Sequence, residues 1–291
     1  MATRNRQVKV NSFTISFEFF PPKTEAMEQK LWQSVKALEP LLPAFASVTY
    51  GAGGSTRERT HNTVRRMVKE TKLKPAAHLT CVNASKDEVN EVARAYWQAG
   101  VRHIVALRGD PPEGMQGYAP HPNGYRYASE LVAGLRKVAD FEISVAAFPE
   151  KHPESKSFEA DMDYLKQKID AGATRAITQY FFDTEHYFKL LDRAASCGIS
   201  IPIVPGIMPI VNFTQAQKFS AMCGASVPGW LVQKFTGLEN NEKGHFAAAV
   251  EVASVQCREL LAAGAKHLHF YTLNRAELTQ AVCQQLNQLR A

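Results

Sequence analysis

Short runs of β-branched and aromatic residues alternate along the chain with longer stretches in which apolar residues recur every three or four positions. The short runs are typical of buried strands and the longer stretches of amphipathic helices. The predicted strands cover residues 14–20, 45–50, 76–82, 102–108, 141–147, 175–181, 202–207 and 266–272. The predicted helices cover residues 25–39, 56–71, 85–99, 126–139, 158–171, 184–197, 212–223, 228–236, 243–263 and 275–289.

Strands that are separated by helices form a parallel sheet, and eight such units over 291 residues favour closure into a barrel over an open doubly wound sheet. The seventh strand gives the weakest signal, because Pro202 and Pro205 leave only a short stretch that can pair. The pattern therefore predicts a single (β/α)8 TIM barrel over residues 14–291, with extra helices between strands seven and eight. Residues 1–13 are predicted to form a flexible basic tail.

Charge and cysteine usage narrow the class of protein. The net charge of +6 suits an anionic ligand, but the basic residues are dispersed, so the sequence predicts no nucleic-acid partner. Five cysteines lie far apart without a CxxC pair, which argues against a disulfide framework or a zinc site and indicates a reducing, cytoplasmic compartment. No apolar run reaches transmembrane length and the start lacks a secretory signal, so no membrane association is predicted.

The first predicted strand ends near a carboxylate. Side chains alternate along a strand, so Ser16, Glu18 and Phe20 share one face while Phe17 and Phe19 take the other. If the two phenylalanines face the helices, Glu18 points into the mouth of the barrel, where such folds carry their catalytic residues. We expect desolvation among aromatics to raise its pKa, as a general acid near neutral pH requires. A structural pairing of Glu18 with Arg or Lys is the alternative.

Polar residues also follow strands two to five. The glycines of residues 51–54 can expose backbone N–H groups to an anion, although an ordinary turn is the simpler interpretation. A lone strand histidine such as His78 is more often a hydrogen-bonded core residue than a ligand. Arg108 and Asp110 indicate a site or a surface ion pair, and His152 is equally ambiguous.

The sixth and eighth predicted strands end in groups that suit an organic ligand. Gln179 precedes three aromatic residues, which form a platform for a flat heteroaromatic ring or belong to the core. Arg275 at a helix start is within reach of a substrate carboxylate. The sequence contains no catalytic triad motif, no HExxH and no clustered metal ligands, so no metal site is predicted.

Seven segments in order along nearly the whole chain closely resemble bacterial 5,10-methylenetetrahydrofolate reductase. They are FEFFPPK (17–23), SVTYGAGGSTRERT (47–60), HLTC (78–81), HIVALRGDPP (103–112), ITQYFFD (177–183), PGIMPI (205–210) and HFYTLNRAE (269–277). The resemblance implies a (β/α)8 barrel that binds FAD and assembles into homo-oligomers. It also implies a ping-pong reaction in which NADH or NADPH reduces the flavin and leaves, and a folate then enters the same pocket and is reduced to 5-methyltetrahydrofolate.

The resemblance also assigns roles to residues. It implies that Glu18 is the general acid that protonates the folate N10 side, and that Asp110 is the carboxylate beside flavin and pterin. The substrate-binding positions that it implies are Gln179, Gln215, Phe219 and Arg275. The FAD-binding positions that it implies are Thr49, Tyr50, Ala52, His78, Arg108, Gly109, Asp110, Ala128, Phe148, His152, Asp161 and Lys168.

Three positions depart from the pattern common in bacterial members. Phe148 stands where many have Tyr, an Arg common near Gln167 is absent, and so is an Asn near Tyr164. The loop 111–125 also looks longer and richer in Pro, Gly and Tyr. These departures bear on FAD affinity and on the preference for NADH or NADPH rather than on the fold.

Alternatives from other classes stay open at this stage. A different FAD-dependent barrel oxidoreductase that acts on an amine or imino acid shares the fold but does not need Glu18 beside the flavin. A non-catalytic folate- or RNA-binding protein predicts no flavin, and the sequence carries no RNA-binding signature. The resemblance also implies a role in methionine biosynthesis. The motifs are equally compatible with the reverse reaction, the oxidation of methyltetrahydrofolate.

Overall fold

A computed structural model describes residues 12–50, 57–111, 114 and 117–288. In these ranges the strands are β1 (Thr14–Phe19), β2 (Ala46–Val48), β3 (Pro75–Thr80), β4 (His103–Leu107), β5 (Glu142–Ala147), β6 (Arg175–Thr178), β7 (Ile203–Val204), β8 (Gly206–Ile207) and β9 (His267–Tyr271). The helices are α1 (Glu25–Leu38), α2 (Arg57–Glu70), α3 (Lys86–Gln98), α4 (Ala128–Val138), α5 (Phe158–Asp170), α6 (Thr184–Ser196), α7 (Phe213–Cys223), α8 (Gly229–Phe235), α9 (Glu242–Ala262) and α10 (Ala276–Asn287). A short 3₁₀ helix follows α1 at Glu39–Leu41.

All strand pairs are parallel, and the sheet order is β7-β6-β5-β4-β3-β2-β1-β9-β8. The first and last members, β7 and β8, are two halves of the predicted seventh strand, separated by Pro205. One half pairs with β6 and the other with β9, so the broken strand closes the barrel. Proline has no N–H to donate, but the Pro205 carbonyl still accepts from the His269 N–H at 3.0 Å. The predicted eight-unit barrel and its weak seventh strand are confirmed.

Local sequence signals set the helix starts. The α3 helix begins with a capping box, in which Ser85 accepts from the Glu88 N–H while the Glu88 carboxylate accepts from the Ser85 N–H. Thr24 and Asp183 cap α1 and α6 in the simpler way, through a side-chain oxygen. The predicted extra helices between the last two strand positions correspond to α7, α8 and α9. None of the described helices is both long enough and apolar enough to cross a bilayer.

The main core lies between the sheet and the surrounding helices. Phe17, Phe19 and Phe270 are fully buried there, so the outward face of β1 packs against helices as the alternation predicts. Phe13, which the sequence assigns to the tail, is also buried in this core, so the prediction for that residue is wrong. Residues 1–11 of the predicted tail lie outside the described residues.

The inside of the barrel divides into two sectors. The apolar sector is a separate buried cluster formed by Phe45, Ala76, Val105, Ile177 and Val204, which come from five different places around the barrel. The polar sector is formed by Ser16, His103, Ser144, His267 and His269. Its hydrogen bonds form two separate groups: Ser16 bonds to His267 and His269, and His103 bonds to Ser144. The Phe45 ring packs against the three histidines of the polar sector, since its centre lies 4.5 Å from the His103 ring centre and 5.7 Å from each of the other two.

Candidate active site

The carboxylate of Glu18 lies at the carboxyl end of β1, surrounded by side chains from three other strands. Its Oε2 atom lies 3.2 Å from Nε2 of His78 on β3 and 3.6 Å from Nε2 of His269 on β9. The Ser47 hydroxyl on β2 approaches the same oxygen at 3.5 Å. Thr272 holds the backbone, because its N–H and its hydroxyl both donate to the Glu18 carbonyl, at 3.2 and 2.6 Å. The carboxylate is therefore fixed at the mouth of the barrel.

The electrostatics of Glu18 differ from the sequence-based expectation. Burial raises its pKa, but the facing imidazoles of His78 and His269 more than offset that effect, and the pKa of Glu18 falls to about 2. The expected raised pKa is therefore wrong for the ligand-free protein, because the carboxyl faces two imidazoles rather than apolar aromatics alone. The alternative, a structural pairing of Glu18 with Arg or Lys, is also wrong, because the basic partners of its carboxylate are imidazoles. An ionised Glu18 has to receive a proton before it can donate one.

Both imidazoles are aimed at this carboxylate without a hydrogen bond of their own at Nε2. Within the described ranges, Nε2 of His78 and Nε2 of His269 are buried atoms that have no hydrogen-bond partner. His78 is 6% exposed and His269 is fully buried. Buried polar atoms are nearly always satisfied, so two orphans that face one carboxylate indicate a functional site rather than a structural core histidine.

A group of cations and carboxylates surrounds the ends of β4 and β5. Arg108 donates from Nη1 to the Glu154 carboxylate at 2.6 Å and lies 4.5 Å above the Tyr118 ring. The carboxylate paired with Arg108 is thus Glu154 rather than Asp110, which is exposed. The His152 Nδ1 accepts from the Glu154 N–H at 3.1 Å, so both predicted basic groups contact the same residue. Burial lowers the pKa of His152.

The helix α5 adds a third basic group to this end of the barrel. Lys168 donates from Nζ to the Ala146 carbonyl of β5 at 2.6 Å, and burial lowers its pKa to about 8 against the attraction of Asp161. Asp161 is itself buried and accepts from the His152 N–H at 2.7 Å. Phe148 packs edge-on against the His152 ring, 4.6 Å between ring centres. The structure thus brings five predicted FAD positions into one cluster: Arg108, Phe148, His152, Asp161 and Lys168.

The remaining predicted FAD positions lie on the same rim. Thr49 and Tyr50 follow β2 and are partly buried, and Ala128 is the first residue of α4. Gly109 follows β4 with φ +86°, where a Cβ atom would come within 2.6 Å of the Val82 side chain, so this position requires glycine. Ala52 and the other glycine-loop residues 51–56 lie outside the described residues.

The predicted folate positions lie on the segments that follow β6, β8 and β9. Gln215 and Phe219 on α7 line a small pocket together with Leu273, which follows β9. Gln179 follows β6, and its side-chain oxygen accepts from the Tyr180 N–H at 3.0 Å. Arg275 is exposed at the N-cap position of α10. Two of the four predicted substrate positions thus follow strands, and the other two lie on α7.

Sequence reasoning missed several residues that contact this site. His269, Ser47 and Tyr271 were not singled out, although Tyr271 is next to Glu18 in register and donates to the Thr178 carbonyl at 2.6 Å. The signal that could have found them is the same alternation that was applied to β1. On β9 it places His267, His269 and Tyr271 on the interior face.

The cluster around Arg108, His152 and Lys168 could hold a pyrophosphate, because Glu154 links Arg108 with His152 and Asp161 links His152 with Lys168. The hydroxyl of Thr80 on β3 is a further buried atom with no hydrogen-bond partner in the described ranges, next to the close approach of Gly109. A polar atom without a hydrogen-bond partner, next to a glycine where no side chain fits, suits contact with the edge of a flat cofactor. No group of three or more metal-ligating side chains occurs in the part of the chain that the structure describes.

Comparison with known proteins agrees with this arrangement. A family model described as "Methylenetetrahydrofolate reductase" matches residues 4–287. The 5,10-methylenetetrahydrofolate reductase of Escherichia coli (strain K12) is 50% identical over 272 residues, which cover 94% of this chain and 90% of that protein. The enzyme of the same name from Pectobacterium carotovorum is 49% identical over 272 residues, with 94% and 89% coverage. Methylenetetrahydrofolate reductase (NADH) 1 of Arabidopsis thaliana is 36% identical over 270 residues, 89% of this chain but 46% of its own length.

A solved structure with low sequence identity has the same fold. It is a protein from Clostridium thermocellum described as binding two copies of 5-methyl-5,6,7,8-tetrahydrofolic acid. The TM-score is 0.63 at 15% identity, with 98% of each chain covered. At this identity the similarity concerns the fold. The family model and the bacterial relatives at about half identity decide the family: this chain belongs to the methylenetetrahydrofolate reductase family.

Proposed function

We propose that this protein reduces 5,10-methylenetetrahydrofolate to 5-methyltetrahydrofolate, with bound FAD as the redox group and NADH or NADPH as the electron donor. The observation that carries the proposal is the Glu18 carboxylate, fixed at the barrel mouth and facing two otherwise unpartnered imidazole nitrogens. A largely buried carboxylate held between two imidazoles suits proton transfer, and family membership supports the substrate class.

The proton chemistry assigns Glu18 its role. The methylene bridge of the substrate joins N5 and N10, and N10 leaves more readily when it is protonated. Protonated Glu18 gives its proton to N10, the bond between N10 and the bridging carbon breaks, and an iminium forms at N5. A hydride that reaches the bridging carbon completes the methyl group, and Glu18 is left ionised, as it is in the ligand-free protein. General acid catalysis of this kind contributes roughly 10²–10⁴-fold.

Residues of the Arg108 cluster would hold FAD. Arg108, His152 and Lys168 would neutralise the pyrophosphate, while Thr49, Tyr50, Ala52, His78, Gly109, Ala128, Phe148 and Asp161 would contact the rest of the cofactor. When bound, FAD supplies two-electron chemistry between the nicotinamide and the folate. The three basic groups exceed what a monophosphate needs, which favours FAD over FMN.

The segments that follow β6, β8 and β9 would bind the substrate. Phe219 would stack on the flat folate ring, Gln215 and Gln179 would hold its polar edge, and Arg275 would pair with a carboxylate of the folate tail. Asp110 would lie between the flavin and the pterin. In a ping-pong order Gln179 would serve the nicotinamide first and the folate afterwards, because both use one pocket. The printed name of the Arabidopsis relative specifies NADH, which supports NADH as the donor to test first.

The proposal extends to cellular context. The reaction would supply methyl groups for methionine biosynthesis in the cytoplasm, and the same residues would serve the reverse oxidation of methyltetrahydrofolate. We propose a homo-oligomer that acts on small molecules and needs no nucleic-acid or membrane partner. A second candidate, a folate-binding protein without catalysis, is favoured by the Clostridium thermocellum protein, which has this fold and binds a methylated folate. An amine- or imino-acid-oxidising flavoprotein is a weaker candidate, because it leaves the position of Glu18 without a use.

The test is spectroscopic and begins with the purified protein. We expect a yellow protein that releases FAD on denaturation, loses its colour with NADH without oxygen, and regains it when 5,10-methylenetetrahydrofolate is added. Mass spectrometry should then find one 5-methyltetrahydrofolate per flavin. A protein that takes up no FAD but binds the folate is the non-catalytic candidate. A protein whose reduced flavin is not re-oxidised by the folate contradicts the proposed reaction.

A further inference from the structure

An ionised Glu18 raises the question of where its proton comes from. If the proposed function holds, a new proton has to reach this carboxyl in every cycle while cofactor and folate cover the mouth of the barrel. The polar sector begins directly beneath Glu18, on the side away from the mouth. It offers a route from the opposite face.

Five side chains from β1 and β9 form a continuous line through the barrel. Thr14 Oγ1 lies 2.7 Å from His267 Nδ1, and His267 Nε2 lies 2.7 Å from Ser16 Oγ. Ser16 Oγ lies 2.7 Å from His269 Nδ1, and His269 Nε2 lies 3.6 Å from Glu18 Oε2. Thr14, at the amino end of β1, is exposed, whereas Ser16 and His269 are fully buried. The line therefore connects the amino-end face of the barrel with the carboxylate at its mouth.

Two hydrogen patterns run in a single direction along the whole line when both histidines are neutral. In the first, Thr14 donates to His267, His267 to Ser16, Ser16 to His269, and the His269 Nε2–H faces the ionised Glu18. In the second, every hydrogen points the other way, from a protonated Glu18 down to Thr14, whose hydroxyl donates to the Lys266 carbonyl at 3.4 Å. Each neutral imidazole presents one N–H and one acceptor nitrogen, so each can pass a proton from one ring nitrogen to the other side of the ring.

The surroundings keep these histidines neutral. Burial lowers the pKa of His269, with the attraction of Glu18 opposing, and burial lowers the pKa of His267 to about 3. The cation nearest to this layer is Arg175 of β6, which forms an ion pair with Glu142 and lies 5.2 Å from the Phe45 ring centre. His103 on β4 is also buried, and the same cause lowers its pKa. His78 on β3, Ser47 on β2 and Tyr271 on β9 complete the groups that face Glu18 or His269.

We propose that Thr14, His267, Ser16 and His269 form a proton relay that reprotonates Glu18 from the amino-end face of the barrel. A water molecule at Thr14 gives up one proton and leaves to bulk solvent as hydroxide, each member passes its own proton one step along, and Glu18 becomes a carboxylic acid. One proton enters and one carboxylate is neutralised, so no redox partner is needed. The link from His269 to Glu18 is longer than a hydrogen bond at 3.6 Å, so it has to shorten for the last transfer. These four are positioning and relay residues. Of the five side chains in the line, Glu18 alone would touch substrate.

The first test needs no catalysis. In ¹⁵N-histidine NMR spectra of the protein as purified, near neutral pH, we expect His267 and His269 both to be neutral with the hydrogen on Nε2. Replacing Ser16 by Ala should disturb the signals of both rings, whereas Ser144→Ala should disturb that of His103, its hydrogen-bond partner at 2.8 Å. A hydrogen on Nδ1 of either ring while Glu18 is ionised would overturn the relay.

The second test uses the two half-reactions of the flavin-loaded enzyme. Ser16→Ala should slow re-oxidation by 5,10-methylenetetrahydrofolate roughly tenfold or more, since proton supply is part of a step worth about 10²–10⁴-fold. Reduction by NADH should stay unchanged. If Ser16→Ala folds poorly, Thr14→Val replaces it in the test. It is an isosteric change at an exposed position and should also slow re-oxidation by the folate. Ser144→Ala, equally buried in the polar sector but outside the line, is the matched control and should leave both half-reactions unchanged.

Solvent isotope effects separate the relay from a packing effect. In mixtures of H₂O and D₂O, the wild-type folate half-reaction should depend on deuterium content along a curve, because several protons move together. In Ser16→Ala the dependence should become linear. A wild-type protein without any folate half-reaction would refute the proposed function while the tautomer test still stands. A normal folate half-reaction with the same isotope dependence in both proteins would refute the relay alone.

Discussion

The two halves of the barrel interior are built on opposite principles. The apolar sector around Phe45 has no polar side chains, and its packing removes hydrophobic surface from water. The polar sector buries two serines and the histidines His103 and His269, and it includes a third, partly buried histidine, His267. Interiors of such barrels are usually filled with branched apolar residues. Each buried polar group that loses its hydrogen-bond partner lowers the free energy of unfolding by about 1–3 kcal/mol. Filling the barrel with polar groups therefore stabilises the fold less securely than apolar packing does.

The difference shows which part of the interior is committed to chemistry. The polar sector lies on β1, β4, β5 and β9, and its part on β1 and β9 carries a line of hydrogen bonds from Thr14 to His269, whose Nε2 faces the Glu18 carboxylate at 3.6 Å. The apolar sector supports the histidine rings through Phe45. We therefore expect substitutions in the apolar sector to change stability, and substitutions along the line on β1 and β9 to change function. Substitutions confined to one sector test this division.

The largest effect on stability is expected for Phe45→Ala. Phe45 is 4% exposed, and its removal leaves a cavity that rigid strands cannot close, so the free energy of unfolding should fall by about 3–5 kcal/mol. Urea denaturation followed by circular dichroism measures the change. Leu42→Ala, at a side chain that is 83% exposed, is the control and should change stability by less than about 0.5 kcal/mol. A similar small loss for Phe45→Ala would mean that the apolar sector does not support the barrel.

Substitutions in the polar sector should instead change how the stability of the protein depends on pH. Burial lowers the pKa of His267 from 6.5 to about 3, so between these values the unfolded chain binds a proton that the folded protein does not. Stability is therefore full above pH 6.5 and is lost as the pH falls toward 3, by at most about 1.4 kcal/mol per pH unit for this group.

His267→Gln removes that contribution, so its stability should fall less steeply between pH 6.5 and 4 than the stability of the wild type. Urea denaturation at several pH values measures both slopes. The matched control is His121→Gln, in the partly buried loop before α4. Parallel curves for wild type and His267→Gln would show that His267 is charged in the folded protein.

Much of the fold could be predicted, because the barrel depends on period and length alone. Strand and helix positions agree with the structure to within one to three residues at nearly every end, and Pro205 explains the broken seventh strand. The position of Glu18 at the mouth also followed from alternation along β1. Its electrostatic state did not, because the two histidines come from β3 and β9, which lie about 60 and 250 residues further along the chain. A strand alone gives no register against its neighbours, and that register brings these groups together.

The smallest effect is expected outside both sectors, at Asp110→Asn. If Asp110 lies beside the flavin as proposed, its negative charge disfavours the anionic reduced form. Removing it should raise the two-electron potential of the flavin by about 20 mV, equivalent to ~1 kcal/mol for an exposed charge at contact distance. Redox titration of both proteins measures this shift. Asp140→Asn, at a 97% exposed side chain beyond α4, should leave the potential unchanged. An unchanged or lowered potential in Asp110→Asn would place the residue away from the flavin.

The central claim is that Glu18 supplies the proton that opens the folate methylene bridge, and stopped-flow measurement of Glu18→Gln tests it most directly. Glutamine keeps the shape of the side chain but cannot donate that proton. Re-oxidation of the reduced flavin by 5,10-methylenetetrahydrofolate should slow by about 10²–10⁴-fold, while reduction by NADH should stay within roughly tenfold of wild type. Equal slowing of both half-reactions would contradict the claim, because Glu18 would then be a structural or binding residue and the acid would be a different group.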